Sequence, residues 1–94
     1  MYRIEVVVRG RVQGVGFRAF VLRRAAALGL SGEVWNRVDG AVGFEAEGGR
    51  EALEGLAEEC RRGPAGARVE DLEVTWSEGP PRHHGFGVGA SRRA

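Results

Sequence analysis

The 94 residues fit one domain, which we place at residues 1–94, with a correspondingly small core. All 14 basic side chains are arginine, which excludes lysine Schiff-base chemistry and every phosphate loop that ends in Gly-Lys-Ser/Thr. With 13 acidic side chains the formal net charge is only +1, which argues against a nucleic-acid binder that neutralises phosphates.

The first two elements differ in their hydrophobic period. Apolar and polar residues alternate from residue 2 to residue 9, which predicts a strand. After a glycine-rich stretch, apolar residues recur at three- and four-residue spacing from Phe17 to Leu28. This spacing predicts a helix, and Gly29 is a usual residue for ending one.

The middle of the chain has the pattern of a β-hairpin. Residues 32–38, "GEVWNRV", alternate between two faces, and residues 41–47, "AVGFEAE", do so again. The Asp39-Gly40 pair between them is preferred in tight hairpin turns. We therefore expect two antiparallel strands joined at this pair.

A second helix and a last long strand follow. The helix begins after Gly48-Gly49 and ends at Gly63-Pro64, where glycine and proline terminate its narrow apolar stripe. The strand runs from about Ala67 to Ser77. Its inward face is expected to hold Leu72, Val74 and Trp76. The chain after it can form at most a short strand near residues 86–88 and then a frayed tail.

This order of elements is that of two split βαβ halves. It predicts an α+β, ferredoxin-like βαββαβ sandwich, an antiparallel sheet with two helices on one face. Right-handed crossovers make the first two strands parallel, with the third strand between them. The loop after the first strand and the far end of the second strand should then share one sheet edge, about 10 Å apart. Asn36 lies at that end of the second strand.

The stretch "GRVQGVGFR", residues 10–18, has the features of an anion site. The first helix has no Ser, Thr, Asp or Asn at its start, only Gly16, so its free backbone amides lack a side-chain cap. Arg18 lies where the helix dipole is positive, and no acidic residue occurs between Gly10 and Ser31. A bound phosphate would act as the missing cap. The alternative is an ordinary tight turn with Arg18 in solvent.

Asn36 interrupts an apolar strand face, where asparagine is unfavourable unless its amide has a partner. The amide could position an attacking water, or it could hydrogen-bond to the nearby turn. Arg18 can grip a phosphate but supplies no nucleophile, and no strong acid or base is at hand. The leaving group must therefore depart unaided, as a carboxylate does because the pKa of its acid is about 4. An acyl phosphate is the matching substrate.

Residues 10–18 resemble the acylphosphatase signature loop, and residues 32–40, "GEVWNRVDG", resemble the second motif of that family. The resemblance extends over nearly the whole chain. It implies a βαββαβ hydrolase of carboxyl-phosphate anhydrides that uses no metal and no cofactor. It assigns phosphate binding to Arg18 and orientation of the attacking water to Asn36. The backbone amides that it assigns to the phosphate are those of Gln13, Gly14, Val15, Gly16 and Phe17.

Two departures from the family pattern lie beside Asn36. The family usually has an aromatic residue and an arginine where this chain has Glu33 and Trp35. On an alternating strand both should point away from the face that carries Asn36. We therefore expect the pair of Arg18 and Asn36 to be intact.

Two other functional classes fit part of this sequence pattern. An acylphosphatase-like domain could bind an anion or regulate without turnover, since a fold alone does not prove activity. The segment "HHGFGVG", residues 83–89, faintly resembles the aromatic element of RNA-binding modules. That element belongs on a central strand, not at the end of the chain, so no nucleic-acid partner is expected. His83 and His84 lack a third ligand at usable spacing and are expected to be surface residues.

The remaining expectations concern environment and assembly. Cys60, the single cysteine, lies in a helical apolar stripe and is expected to be a small buried hydrophobe. No apolar run approaches the roughly 20 residues of a membrane span, and no secretory pattern begins the chain. We expect a cytoplasmic monomer that acts on a small-molecule acyl phosphate, with no membrane partner.

Overall fold

A computed structural model describes all 94 residues. Its elements in chain order are β1 (Tyr2–Arg11), α1 (Phe17–Ala27), β2 (Ser31–Asn36), β3 (Val42–Gly48), α2 (Arg50–Arg62), β4 (Arg68–Glu78) and β5 (Phe86–Val88). The strands form one sheet in the order β4-β1-β3-β2-β5. The ferredoxin-like fold predicted from the sequence is confirmed. The sheet is mixed, because β5 pairs parallel with β2 while all other neighbouring strands are antiparallel.

The core fills the space between the sheet and the two helices. Alternation along β1 places Ile4, Val6 and Val8 in one cluster of 17 buried residues, together with the apolar stripes of both helices. Cys60 is fully buried in this cluster, as predicted. Burial, reinforced by the nearby charge of Glu59, raises the pKa of the Cys60 thiol to about 12. The thiol is therefore protonated and unreactive near neutral pH.

β1 continues two residues beyond its predicted end because Gly10 allows a close approach to β4. The pairing of the two strands shifts between Arg9 and Gly10, and Gly10 has a φ of 129°. A Cβ atom on Gly10 would lie 2.1 Å from the carbonyl oxygen of Arg68. Only glycine fits this position, which carries β1 up to the start of the following loop.

The β2–β3 hairpin turns earlier than the alternation predicted. β2 ends at Asn36, and the backbone N–H of Arg37 donates to the carbonyl of Ala41 at 2.8 Å. The Asp39-Gly40 pair forms the turn as predicted, with Gly40 at a φ of 94°. Asn36 is therefore the last strand residue before the turn.

The sheet face opposite the helices holds a buried ion pair that no local sequence pattern indicates. Arg3 and Glu47 lie directly across from each other on β1 and β3, 4% and 1% exposed. Their side chains are 3.2 Å apart, and the backbone N–H groups of Arg82 and His83 donate to the other Glu47 oxygen at 2.8 and 2.7 Å. Desolvation pushes the pKa of Glu47 upward, but these hydrogen bonds outweigh it and lower the pKa overall.

The chain after β5 is not frayed, so that expectation is wrong. The backbone N–H of Arg92 donates to the carbonyl of Asn36 at 2.9 Å, and the N–H of Val38 donates to the carbonyl of Arg92 at 2.8 Å. The Arg92 guanidinium lies 3.9 Å from the ring centre of Trp35 and pairs with Glu33. These contacts give the segment partners that its glycine-rich sequence does not suggest.

β4 forms one edge of the sheet, which explains the exposure of its tryptophan. Trp76 lies opposite Ile4 on the predicted face but is 40% exposed. It packs edge-on against Tyr2, with ring centres 6.4 Å apart, and the Arg50 guanidinium lies over it.

Neither helix combines the length and apolar character needed to cross a membrane.

Candidate active site

The loop between β1 and α1 has two left-handed glycines. Gly14 and Gly16 have φ angles of 74° and 79°, which side chains with a Cβ rarely adopt. Gly16 is the N-cap residue immediately before α1, where no side chain caps the free amides and no acidic residue occupies the first turn. Such a backbone makes a concave group of N–H donors at the positive end of a helix.

These donors are free within the protein. No backbone N–H from Gln13 to Ala19 donates a hydrogen bond to a protein acceptor. The pairing of the helix begins only where the N–H of Phe20 donates to the carbonyl of Gly16 at 3.0 Å. The start of α1 therefore presents unpaired amides that an anion could accept from.

The side chain of Gln13 turns away from these amides and binds the hairpin. Its Nε2 donates to the carbonyl of Arg37 at 2.7 Å and to the carbonyl of Ala41 at 2.9 Å. Val15 is half-buried and packs against the core. No local sequence pattern indicates the link between Gln13 and the hairpin, because only the fold brings them together.

Asn36 occupies the end of β2 and leaves its side-chain amide without a hydrogen bond inside the protein. The alternative in which this amide binds the turn is wrong. The turn is held by Gln13 and by Asp39, whose Oδ1 accepts from the N–H of Ala41 at 3.1 Å. The amide of Asn36 therefore remains available to a ligand.

One pocket of about 310 Å³ brings these groups together. It is lined by Val12, Gly14, Gly16, Phe17, Arg18, Ala19, Leu22, Asn36 and Val88. Five of the seven residues predicted for the site are among them, while Gln13 and Val15 contribute no lining. Arg18 is exposed, forms no ion pair and is the only charged residue of the lining. The loop and Asn36 thus face a common space, as the strand order predicted.

The hairpin beside the pocket carries a compact charge network. Asp39 accepts hydrogen bonds from Arg37 at 2.9 Å and from Arg9 at 3.4 Å. The hydrogen bond from Arg37, followed by that from the backbone of Ala41, lowers the pKa of Asp39 to about 2. Asp39 is therefore ionised near neutral pH and offers the pocket no proton.

The two histidines lie away from this pocket. The Nε2 atom of His83 has no hydrogen-bond partner and lies 3.7 Å from Oε1 of Glu45, and His84 is exposed. No group of three or more His, Cys, Asp or Glu side chains is arranged to hold a metal ion. The residues that face the pocket are suited to binding an anion directly.

The model of the acylphosphatase family matches residues 4–88. The chain belongs to the acylphosphatase family. It is 49% identical over 86 residues to the acylphosphatase of Salinibacter ruber, covering 92% of this chain and 90% of the relative. The acylphosphatase of Thermus thermophilus is 51% identical over 78 residues, covering 83% of this chain and 89% of the relative.

A solved structure agrees with the family assignment. The crystal structure of the acylphosphatase from Bacillus subtilis superposes with a TM-score of 0.92 and 42% identity, covering 95% of this chain and 99% of that one. The resemblance identified from the two sequence motifs is confirmed. Because the family is one of hydrolases that act on small acyl phosphates, this chain is an enzyme.

Proposed function

We propose that the chain cleaves the carboxyl-phosphate anhydride bond of small acyl phosphates by direct attack of water, giving a carboxylate and inorganic phosphate. Family membership supports the reaction class. One observation carries the mechanism: unpaired backbone donors, an unpaired guanidinium and an unpaired amide face the same pocket. The phosphoryl group needs the backbone donors and the guanidinium, and the attacking water needs the amide.

The phosphoryl group binds to the N–H groups of residues 13–17 and to Arg18. A phosphate oxygen accepts readily from amides at a helix N-terminus, where the dipole also favours negative charge. The guanidinium holds two oxygens at once and offsets the charge that grows on them in the transition state. Arg18 therefore serves both binding and catalysis.

The amide of Asn36 holds the attacking water in line with the bond that breaks. An amide can orient water but cannot take its proton at neutral pH. No carboxylate or imidazole lines the pocket, so the proton passes to an oxygen of the substrate phosphate. The leaving carboxylate departs without protonation, because the pKa of its acid is about 4. The residues thus suffice for an acyl phosphate but not for an alkyl phosphate ester.

Every residue in this mechanism comes from one chain. All nine lining residues of the pocket, within residues 12–88, come from a single copy. We therefore infer that residues 1–94 form one domain that works as a monomer.

Release of inorganic phosphate from benzoyl phosphate, with a chelator present, tests the proposal. The wild type is expected to release phosphate, and Arg18→Ala is expected to release almost none. Arg23→Ala is the matched control, because Arg23 is another exposed, unpaired arginine of α1 that does not line the pocket. A wild type that binds phosphate saturably but hydrolyses nothing would instead indicate a non-catalytic anion-binding module.

A further inference from the structure

The pocket extends beyond the glycine loop and Asn36 to an apolar wall, formed by Ala19, Leu22 and Val88. Ala19 and Leu22 lie one turn apart on α1, so their side chains share a face of the helix. Val88 comes from β5, which lies beside β2. The parallel pairing sets Val88 opposite Val34, two residues before Asn36. The wall is therefore fixed relative to the proposed reacting groups.

The apolar wall is exposed although the protein has a closed core nearby. Val88 is 49% exposed, whereas Val12 and Phe17 at the floor of the same pocket are 1% exposed. Leu22 is half-buried, and Ala19 is exposed. Apolar side chains that border a polar anion site and lack a protein partner are suited to an apolar part of the ligand.

The charges of the pocket lining limit which chemical groups can bind against the apolar wall. Arg18 is the only cation there, and no acidic side chain lines the pocket. With Arg18 engaged by the phosphoryl group, a second anionic group on the substrate would lose its hydration without gaining a partner. The volume of about 310 Å³ lies at the low end of the range for small-molecule sites.

We propose that the apolar wall binds the acyl group of the substrate and makes the enzyme favour uncharged, apolar acyl groups of about benzoyl size. This inference rests on the proposed function, since it places the acyl group next to a bound phosphoryl group. Ala19, Leu22 and Val88 are the residues that select this class of substrate. An anionic acyl group such as succinyl is disfavoured.

The kcat/KM ratio for benzoyl phosphate over acetyl phosphate tests the wall. Each buried methylene is worth about fourfold in binding, so Leu22→Ala and Val88→Thr should lower this ratio about 3- to 10-fold. The inhibition constant of inorganic phosphate should stay unchanged, because phosphate does not reach the wall. Leu28→Ala is the control, since Leu28 is 37% exposed at the end of α1 and does not line the pocket.

Another variant should gain activity toward an anionic acyl phosphate, which tests whether charge at the wall selects the acyl group. Val88→Arg adds a cation to the wall and should raise kcat/KM for succinyl phosphate about tenfold relative to benzoyl phosphate. Intrinsic reactivity of each substrate cancels in these comparisons, because it is the same for every variant.

The outcomes separate the inference from the proposed function. If the wild type hydrolyses these substrates but the ratios are unchanged in Leu22→Ala, Val88→Thr and Val88→Arg, the wall does not select the acyl group and only this inference fails. If the wild type releases no phosphate from any of them, the proposed function fails and the inference with it. Ratios that shift equally in Leu28→Ala would also overturn the assignment to the wall.

Discussion

The side-chain amide of Gln13 donates to the carbonyl of Ala41 at 2.9 Å, and its second hydrogen goes to the carbonyl of Arg37 at 2.7 Å. The loop that presents the free amides is therefore tied to the hairpin that immediately follows Asn36. Since reacting groups must be placed to within a fraction of an ångström, we propose that this tie sets the geometry between the bound phosphate and the attacking water.

Replacing Gln13 should separate binding from turnover. Gln13→Glu puts a carboxylate oxygen where an N–H donor faced two carbonyls, so the loop should move away from the hairpin. We expect kcat for benzoyl phosphate to fall about 10- to 100-fold with a smaller change in KM. Gln13→Asn keeps the N–H donors on a shorter side chain, so its kcat should fall less than that of Gln13→Glu. Equal kcat in the wild type and Gln13→Glu would show that the tie does not position the loop.

Arg18 should be needed for both steps. Arg18→Ala is expected to lower kcat/KM about 100- to 1,000-fold and to weaken inhibition by inorganic phosphate in parallel. Arg18→Lys keeps the positive charge but loses the bidentate contact with the phosphate. Its kcat/KM should therefore lie between those of the wild type and Arg18→Ala. Calorimetric titration with phosphate, alongside the kinetics, measures both effects. Undiminished phosphate affinity in Arg18→Ala would contradict its role.

Asn36 should affect turnover alone. Asn36→Ala is expected to reduce kcat about 100-fold while the inhibition constant of inorganic phosphate stays near the wild-type value. Asn36→Asp should lose phosphate affinity as well, because it places a negative charge on the pocket that the anion enters. A normal rate in Asn36→Ala would rule out a role in holding water.

The left-handed loop should be sensitive to a single methyl group. A Cβ on Gly16 would meet no atom within 4 Å, so Gly16→Ala introduces backbone strain without a clash. We expect a loss of about 1–2 kcal/mol in the free energy of unfolding, or a relaxed loop with weakened phosphate binding. Gly55→Ala is the control, because Gly55 lies inside α2 and a Cβ there also meets no atom within 4 Å. This variant should be slightly more stable than the wild type, since alanine favours a helix more than glycine does. Urea denaturation with and without phosphate measures both.

Stability should fall in acid through two carboxylates. The pKa of Glu47 is lowered from 4.5, and that of Asp39 is lowered from 3.8 to about 2. A carboxylate whose pKa is lower in the folded than in the unfolded protein stabilises the fold at pH values above its unfolded-state pKa. This contribution is lost as the pH falls through the folded-state pKa. We therefore expect the urea midpoint to drop steeply between about pH 4.5 and pH 2.

The variant Glu47→Gln isolates the buried part of this effect. It should cost about 1–3 kcal/mol at pH 7, because the buried Arg3 then keeps only Glu45, 3.1 Å away, as a charged partner, and it should flatten the acid profile. Glu70→Gln is the control, since Glu70 is exposed and forms no ion pair. An acid profile as steep as that of the wild type in Glu47→Gln would assign the loss to other groups.

The sequence alone determined the order of the elements, the Asp39-Gly40 turn and the uncapped, glycine-rich start of α1. Each is a local property, set by hydrophobic period or by the backbone freedom of one or two residues. It also indicated that Asn36 and the loop share a sheet edge, because handedness leaves few ways to connect such strands.

Only the tertiary structure decided the contacts between distant side chains. The Gln13 link spans 28 residues, the Arg3–Glu47 pair 44, and the hydrogen bond from Trp35 to Ala94 spans 59. The ordered tail and the apolar wall depend in the same way on where β5 lies. Such contacts have no local signature, because they form only when folding brings separate segments together, where each polar group must replace the hydrogen bonds to water that it loses.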